Sequence, residues 1–121
     1  MDELAARVAQ AAGIDKDTAQ QAVVAILRFL RREGPPAETD QLMATIPGSA
    51  AAVEGETPGG GGGGMFGGGL MALAGELGGL GLGMGEMQAV GHELFAWGRE
   101  RAGEDAVGAV VGAIPGLAQF V

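Results

Sequence analysis

The residues able to do chemistry are few and scattered. His92 is the only histidine, with Glu86 and Glu93 as its nearest carboxylates. An imidazole beside carboxylates can ligate a metal or move a proton. On a helix, however, Glu86 is six residues from His92 and Glu93 points from another face, so the three do not converge. A second group, Glu33, Glu38 and Asp40, has a counterpart in Glu100, Glu104 and Asp105. Both groups fall at turns between expected helices. Carboxylates buried opposite each other could do acid–base work. At solvated turns and helix N-termini they complement the macrodipole instead, and that is the reading adopted here. Cysteine is absent, which removes thiolate nucleophiles, thiolate metal sites and disulfides.

The glycines imitate nucleotide-binding loops without completing one. A phosphate loop needs Gly-Lys-Ser/Thr opening a helix after a buried strand, and no lysine follows Lys16. Gly81-Leu82-Gly83-Met84-Gly85 lacks both the preceding strand and the third glycine position of the dinucleotide fingerprint. These residues predict no catalytic, cofactor-binding or metal site, and a protein that is not an enzyme.

Seven basic against fifteen acidic residues, for a net charge of −8, argue against nucleic acid as a partner. The one basic cluster, Arg28, Arg31 and Arg32, sits at an expected helix C-terminus, where cations complement the dipole. The acidic start Met1-Asp2-Glu3 is not a secretory signal, so a cytoplasmic location is expected. Met65 to Met84 is apolar enough to suggest a membrane span, but Glu76 and the many glycines weaken it.

Helical periodicity supplies the elements that would position these residues. The spacing predicts a helix over 2–12, closed by Gly13, and a second over 15–33 capped by Asp15. In the second, Ala19, Ala22, Val23, Ile26 and Leu30 share one face, and Ile14 staples against Ala19. Gly34 and Pro35-Pro36 end it. A short helix over 37–45 follows, with Leu42, Met43 and Ile46 apolar, and Ser49 could cap a further turn. Residues 54–69, with the run Gly59 to Gly64, read as a flexible linker. Helices are then expected over 70–77, 83–101 and 104–113. The second of these buries Met87, Val90, Leu94 and Trp97 or Gly98, and Leu117 and Phe120 fold back after the third.

The stretch 13–48 returns at 81–116 with an ungapped offset of 68 residues. Gly13/Gly81, Gln20/Gln88, Arg31/Arg99 and the closing Ile-Pro-Gly are identical. Ala22/Val90, Ile26/Leu94, Leu27/Phe95 and Phe29/Trp97 stay apolar, whereas Val23/Gly91 and Leu30/Gly98 exchange bulk for space. The expected fold is therefore all-α: two related, pseudo-duplicated helical hairpins packed together and joined by a Gly-rich flexible linker. Residues 1–53 form the first section, 54–69 the linker and 70–121 the second, with Gly75, Gly78, Gly79 and Gly91 allowing close helix approach.

The stretch Leu80 to Met87, the helix after it and the Ile-Pro-Gly ending resemble bacterial small helical domain-of-unknown-function proteins of the VcgC/VcgE type. The resemblance implies two helical sections around a glycine-rich middle and no catalytic residues. Gly83 stands where that pattern favours a polar cap.

The function expected is that of a non-catalytic interaction or self-assembly module, with a protein partner or a second copy. Its interaction surface is expected at Ile26, Leu30, Met65, Phe66, Met71, Met87, Leu94 and Trp97. The alternative is a binder of an apolar ligand or membrane surface through the Met/Phe/Leu stretch around the linker.

Overall fold

The computed structural model describes residues 2–46, 48, 68–114 and 118, with all of their side chains except those of residues 32, 33, 36 and 68–72. Among the described residues the regular elements are helices: α1 (Asp2–Ala12), α2 (Lys16–Glu33), α3 (Pro36–Ala44), α4 (Gly68–Gly79), α5 (Met84–Arg101) and α6 (Glu104–Ala113). The six expected helices are present. Both ends of α4 differ: Gly68 and Gly69 are helical rather than the end of a linker, and the helix runs on through Gly78 and Gly79 rather than stopping at Leu77. The rest of the expected linker, the turn after Ser49, Leu117 and Phe120 lie outside the described residues.

Local signals account for most of the helix ends. Gly13 (φ 71°) and Gly81 (φ 89°) take the left-handed conformation in which a side chain is strained. The amides after them close the preceding helices: Ile14 N–H donates to Ala9 O at 3.0 Å, and Leu82 N–H to Leu77 O at 3.3 Å. Ile14 and Leu82 then turn into the apolar cluster. Pro36 opens α3, where a missing N–H costs nothing.

Neither of the long helices has a side-chain bond from its N-cap residue. Asp15 occupies the N-cap of α2, but its side chain makes no capping bond; the Asp15 carbonyl accepts from Ala19 N–H at 2.8 Å. At α5 the N-cap is Gly83, which has no side chain, so only half of a capping box is made. Glu86 Oε1 reaches back to Gly83 N–H at 2.7 Å.

One continuous core draws on every helix. Helices α2 and α5 are central: α2 packs on α1, α3, α4 and α5, and α5 packs on α1, α2 and α6. That position explains why α2 buries more than the single face its period suggested. Ala25, Leu27 and Phe29 are buried along with Ala19, Ala22, Val23, Ile26 and Leu30. Helix α1, short and weakly patterned, is clasped between α2 and α5 through Leu4, Ala5 and Val8. Full burial of side chains such as Phe29, Leu30, Leu94 and Phe95 stabilises by about 1.5–3 kcal/mol each. Among the described residues no helix is long and apolar enough to cross a membrane.

Candidate interaction face

The extended apolar and charged face on this molecule lies between residues 2–46 (α1 to α3) and residues 68–114 (α4 to α6). Helix α1 packs on α5, α2 on α4 and α5, and α3 on α6, so the first half is closed by the second along its whole length. Each half is roughly the size below which a chain cannot bury enough apolar surface to be stable alone.

Polar contacts follow the same division. Arg7 on α1 donates from Nε to Glu93 Oε1 at 2.8 Å. Its terminal nitrogens form a fork with Glu100, at 3.2 and 2.8 Å. Bidentate pairing of this kind fixes orientation as well as adding energy. Arg101 donates to the same Glu100 Oε1 that accepts from Arg7 Nη1, at 3.4 Å, and stacks on Trp97, its guanidinium carbon 3.6 Å from the ring centroid. Trp97 Nε1 in turn donates to the Thr45 carbonyl at 3.3 Å, across the two halves. At the opposite edge Arg28 on α2 pairs with Glu76 on α4 at 2.8 Å. The basic cluster thus serves as a cross-link as well as a helix end. The Nε atoms of Arg28 and Arg31 are buried with no hydrogen-bond partner among the described residues.

The Arg7 network has a pH consequence. Its hydrogen bond to Arg7, ahead of the Coulombic attraction, holds the Glu100 carboxyl below the ordinary carboxylate range. The same bonds hold Arg7 above its usual value. A carboxyl depressed in the folded chain contributes stability above its unfolded pKa, and that contribution is lost as pH falls through the folded value. Arg7→Gln is therefore expected to lower the urea midpoint at neutral pH, with the gap to the parent chain closing below pH ~4, where free carboxylates are protonated. Glu100 is exposed, so the effect is small. A gap equal at pH 7 and at pH ~3 would show that the pair contributes by packing alone.

The structure places the expected site residues as follows. Ile26, Leu30, Met87, Leu94 and Trp97 are all buried within one chain, none more than 7% exposed. This corrects the expectation that they form a surface open to an outside partner: α2 and α5 cover each other, α1 lies over both, and α4 covers α2. Met65 and Phe66 lie outside the described residues, and Met71 falls on α4 with its side chain undescribed. Met84 is the exposed large apolar side chain among the described residues.

The glycines are also redistributed. Gly75, Gly78 and Gly79 are exposed, and a Cβ at Gly75 or Gly79 would meet nothing within 4 Å, so these residues do not mediate close packing. Gly91 is buried. The close approach occurs at Gly98, where a Cβ would lie 2.5 Å from Leu42 Cδ1 of the first half and 2.9 Å from Val107 Cγ2. Leu42, rather than Leu30, fills the space that Gly98 leaves. No sequence signal pointed to Arg7 as the main polar link, because its partners are 86 and 93 positions away.

The chemical candidates are engaged elsewhere. Glu86 caps α5, Glu93 holds Arg7, and His92 is exposed. Among the described residues no group of three His, Cys, Asp or Glu side chains is placed to hold a metal. A groove of about 490 Å³ between α2 and α4 has a mixed lining, with Asp17, Gln20, Gln21 and the Arg28–Glu76 pair beside Val24 and Leu80.

Compared with models of protein families, with curated proteins and with solved structures, the chain matches none, and its resemblance to VcgC/VcgE-type proteins rests on the residues quoted for it alone.

Proposed function

We propose that this chain is a non-catalytic helical interaction module whose recognition faces are the complementary sides of its two halves. The observation that carries the reading is the location of the polar links. Arg7–Glu93, Arg7–Glu100, Arg28–Glu76 and Trp97–Thr45 all join residues 2–46 to residues 68–114. Buried Ile26 and Leu30 lie on the first side of that division, and Met87, Leu94 and Trp97 on the second. The residues expected to recognise a partner are thus the residues by which one half recognises the other.

We further read the halves as a duplicated three-helix unit joined by a Gly-rich linker. In support, α2 and α5 each have 18 residues and begin 68 positions apart, and α3 and α6 also begin 68 positions apart. Gly13 and Gly81 share the left-handed conformation. Exchanging the halves turns the α1–α5 contact into the α4–α2 contact and leaves α2–α5 and α3–α6 unchanged, while the α1–α2 packing has no equally extensive α4–α5 counterpart among the described residues. That is the relation expected of a pseudo-two-fold pair.

The test is a protease site inserted within Gly59 to Gly64 of the full chain. After cleavage of the folded protein, the two pieces are expected to co-sediment at the mass of the uncut chain and to keep its helical signal. Pieces that separate and unfold on cleavage at micromolar concentration would sink the reading.

A further inference from the structure

The arrangement of contacts bears on how two copies of this chain meet. Of the described ion pairs only Arg101–Glu100 stays within one half; the other three cross between halves. The helix packing that closes the core crosses in the same way, α1 on α5, α2 on α4 and α3 on α6. None of these contacts depends on whether the halves belong to one chain. Leu4, Val8, Leu30 and Leu42 of the first half and Leu77, Leu94, Phe95 and Val110 of the second, all at most 2% exposed, belong to one shared core.

We propose that two copies exchange halves, α1 to α3 of each closing on α4 to α6 of the other, giving a reciprocal dimer with the same contacts as the closed monomer. The occupant of the face is thus a second copy of this chain. The proposal rests on the reading that the halves recognise each other without covalent help, and it goes beyond it by naming the partner and the geometry. Exchange of an identical element is a low-cost route to a dimer because no new interface has to be invented.

Chain length permits it. An extended chain covers at most about 3.3–3.6 Å per residue, so residues 49–67 have a maximum reach of roughly 60 Å. A compact domain of this size is only about 35 Å across, so the connection is long enough to lead into a neighbour. The same length sets the balance. A connecting segment of this kind gives an effective concentration on the order of millimolar for its own ends. The closed monomer therefore dominates at micromolar protein. The exchanged dimer grows toward millimolar, or when chains are unfolded and refolded together.

Two full-length variants separate these outcomes. One carries Arg7→Glu and Arg28→Glu, and the other Glu76→Arg, Glu93→Arg and Glu100→Arg. Alone, each sets like charges against each other between its own halves. Mixed, they offer one reversed and one native set of ion pairs, satisfied only if halves are exchanged. After co-unfolding and co-refolding, the mixture is expected to yield a one-to-one heterodimer at twice the 12.0 kDa chain mass. Either variant alone should give at least tenfold less dimer at the same concentration.

The heterodimer supports exchange even if one or both variants fail to fold alone, because mutual rescue requires it. If both fold as monomers and the mixture holds no heterodimer, or if both stay unfolded when mixed, exchange is overturned. Linker cleavage keeps the two ideas distinguishable: pieces that stay together while the variants never pair would remove exchange and leave half-to-half recognition standing.

Discussion

Leu94→Glu is expected to unfold the whole chain rather than to release a folded monomer. Leu94 is fully buried in α5, the helix that packs on α1, α2 and α6. Losing the leucine forfeits about 1.5–3 kcal/mol of apolar burial. Putting a carboxylate in its place adds a desolvation cost of several kcal/mol. Against a typical net stability of about 5–15 kcal/mol, the sum removes most or all of the folded population. Ile26→Glu, at 3% exposure on α2, should behave in the same way. Circular dichroism with sedimentation velocity checks this: loss of the helical signal and a sharp fall in cooperativity are expected. A helical, compact Leu94→Glu monomer would place Leu94 on an outer surface and overturn the packing described here.

Gly98→Ala is expected to destabilise the chain, although the same change at an open helical glycine stabilises it. Alanine in place of glycine in a helix interior ordinarily gains about 0.5–1 kcal/mol. Gly108 on α6 and Gly75 on α4 meet that condition, because nothing lies within 4 Å of a Cβ at either. At Gly98 the new methyl would press on Leu42 Cδ1 at 2.5 Å and Val107 Cγ2 at 2.9 Å. Leu42 and Val107 are at most 1% exposed and have little room to yield. Overpacking of this kind costs about 1–3 kcal/mol, enough to reverse the sign.

Leu42→Ala alone should cost about 2–5 kcal/mol through the cavity it leaves. In the double variant the alanine at position 98 occupies part of that cavity, so the combined loss should fall short of the sum by roughly 1 kcal/mol. Urea unfolding of the two single variants, the double variant and the Gly108→Ala control measures all of these terms. Strict additivity, or a gain in stability for Gly98→Ala, would remove the proposed contact between Leu42 and Gly98.

That contact also shows how the two halves fit each other in shape. Position 98 carries no side chain, and the space beside it is filled by Leu42 from α3. Arg7 adds the polar counterpart, since its fork with Glu100 and bond to Glu93 set the angle at which α1 lies on α5.

The helices themselves were legible in the sequence. Their apolar spacing, the Gly13 stop and the break at Gly34 and Pro35-Pro36 act within five or six residues, and a short window contains the information needed. The all-α class follows from those signals. Tertiary structure decided which faces meet. Helix α1 has few bulky residues, yet it is clasped by α2 and α5, against which it buries Leu4, Ala5 and Val8. Gly75, Gly78 and Gly79 read as packing positions in a one-dimensional pattern, but they face outward because Leu73 and Leu77 turn α4 toward α2. Ile26, Leu30, Met87, Leu94 and Trp97 were expected on an open surface and are buried, since burial depends on side-chain volumes brought together by the whole fold. Local chemistry therefore determined the elements of this protein, and complementary volume and charge across residues far apart in the chain determined the face they form.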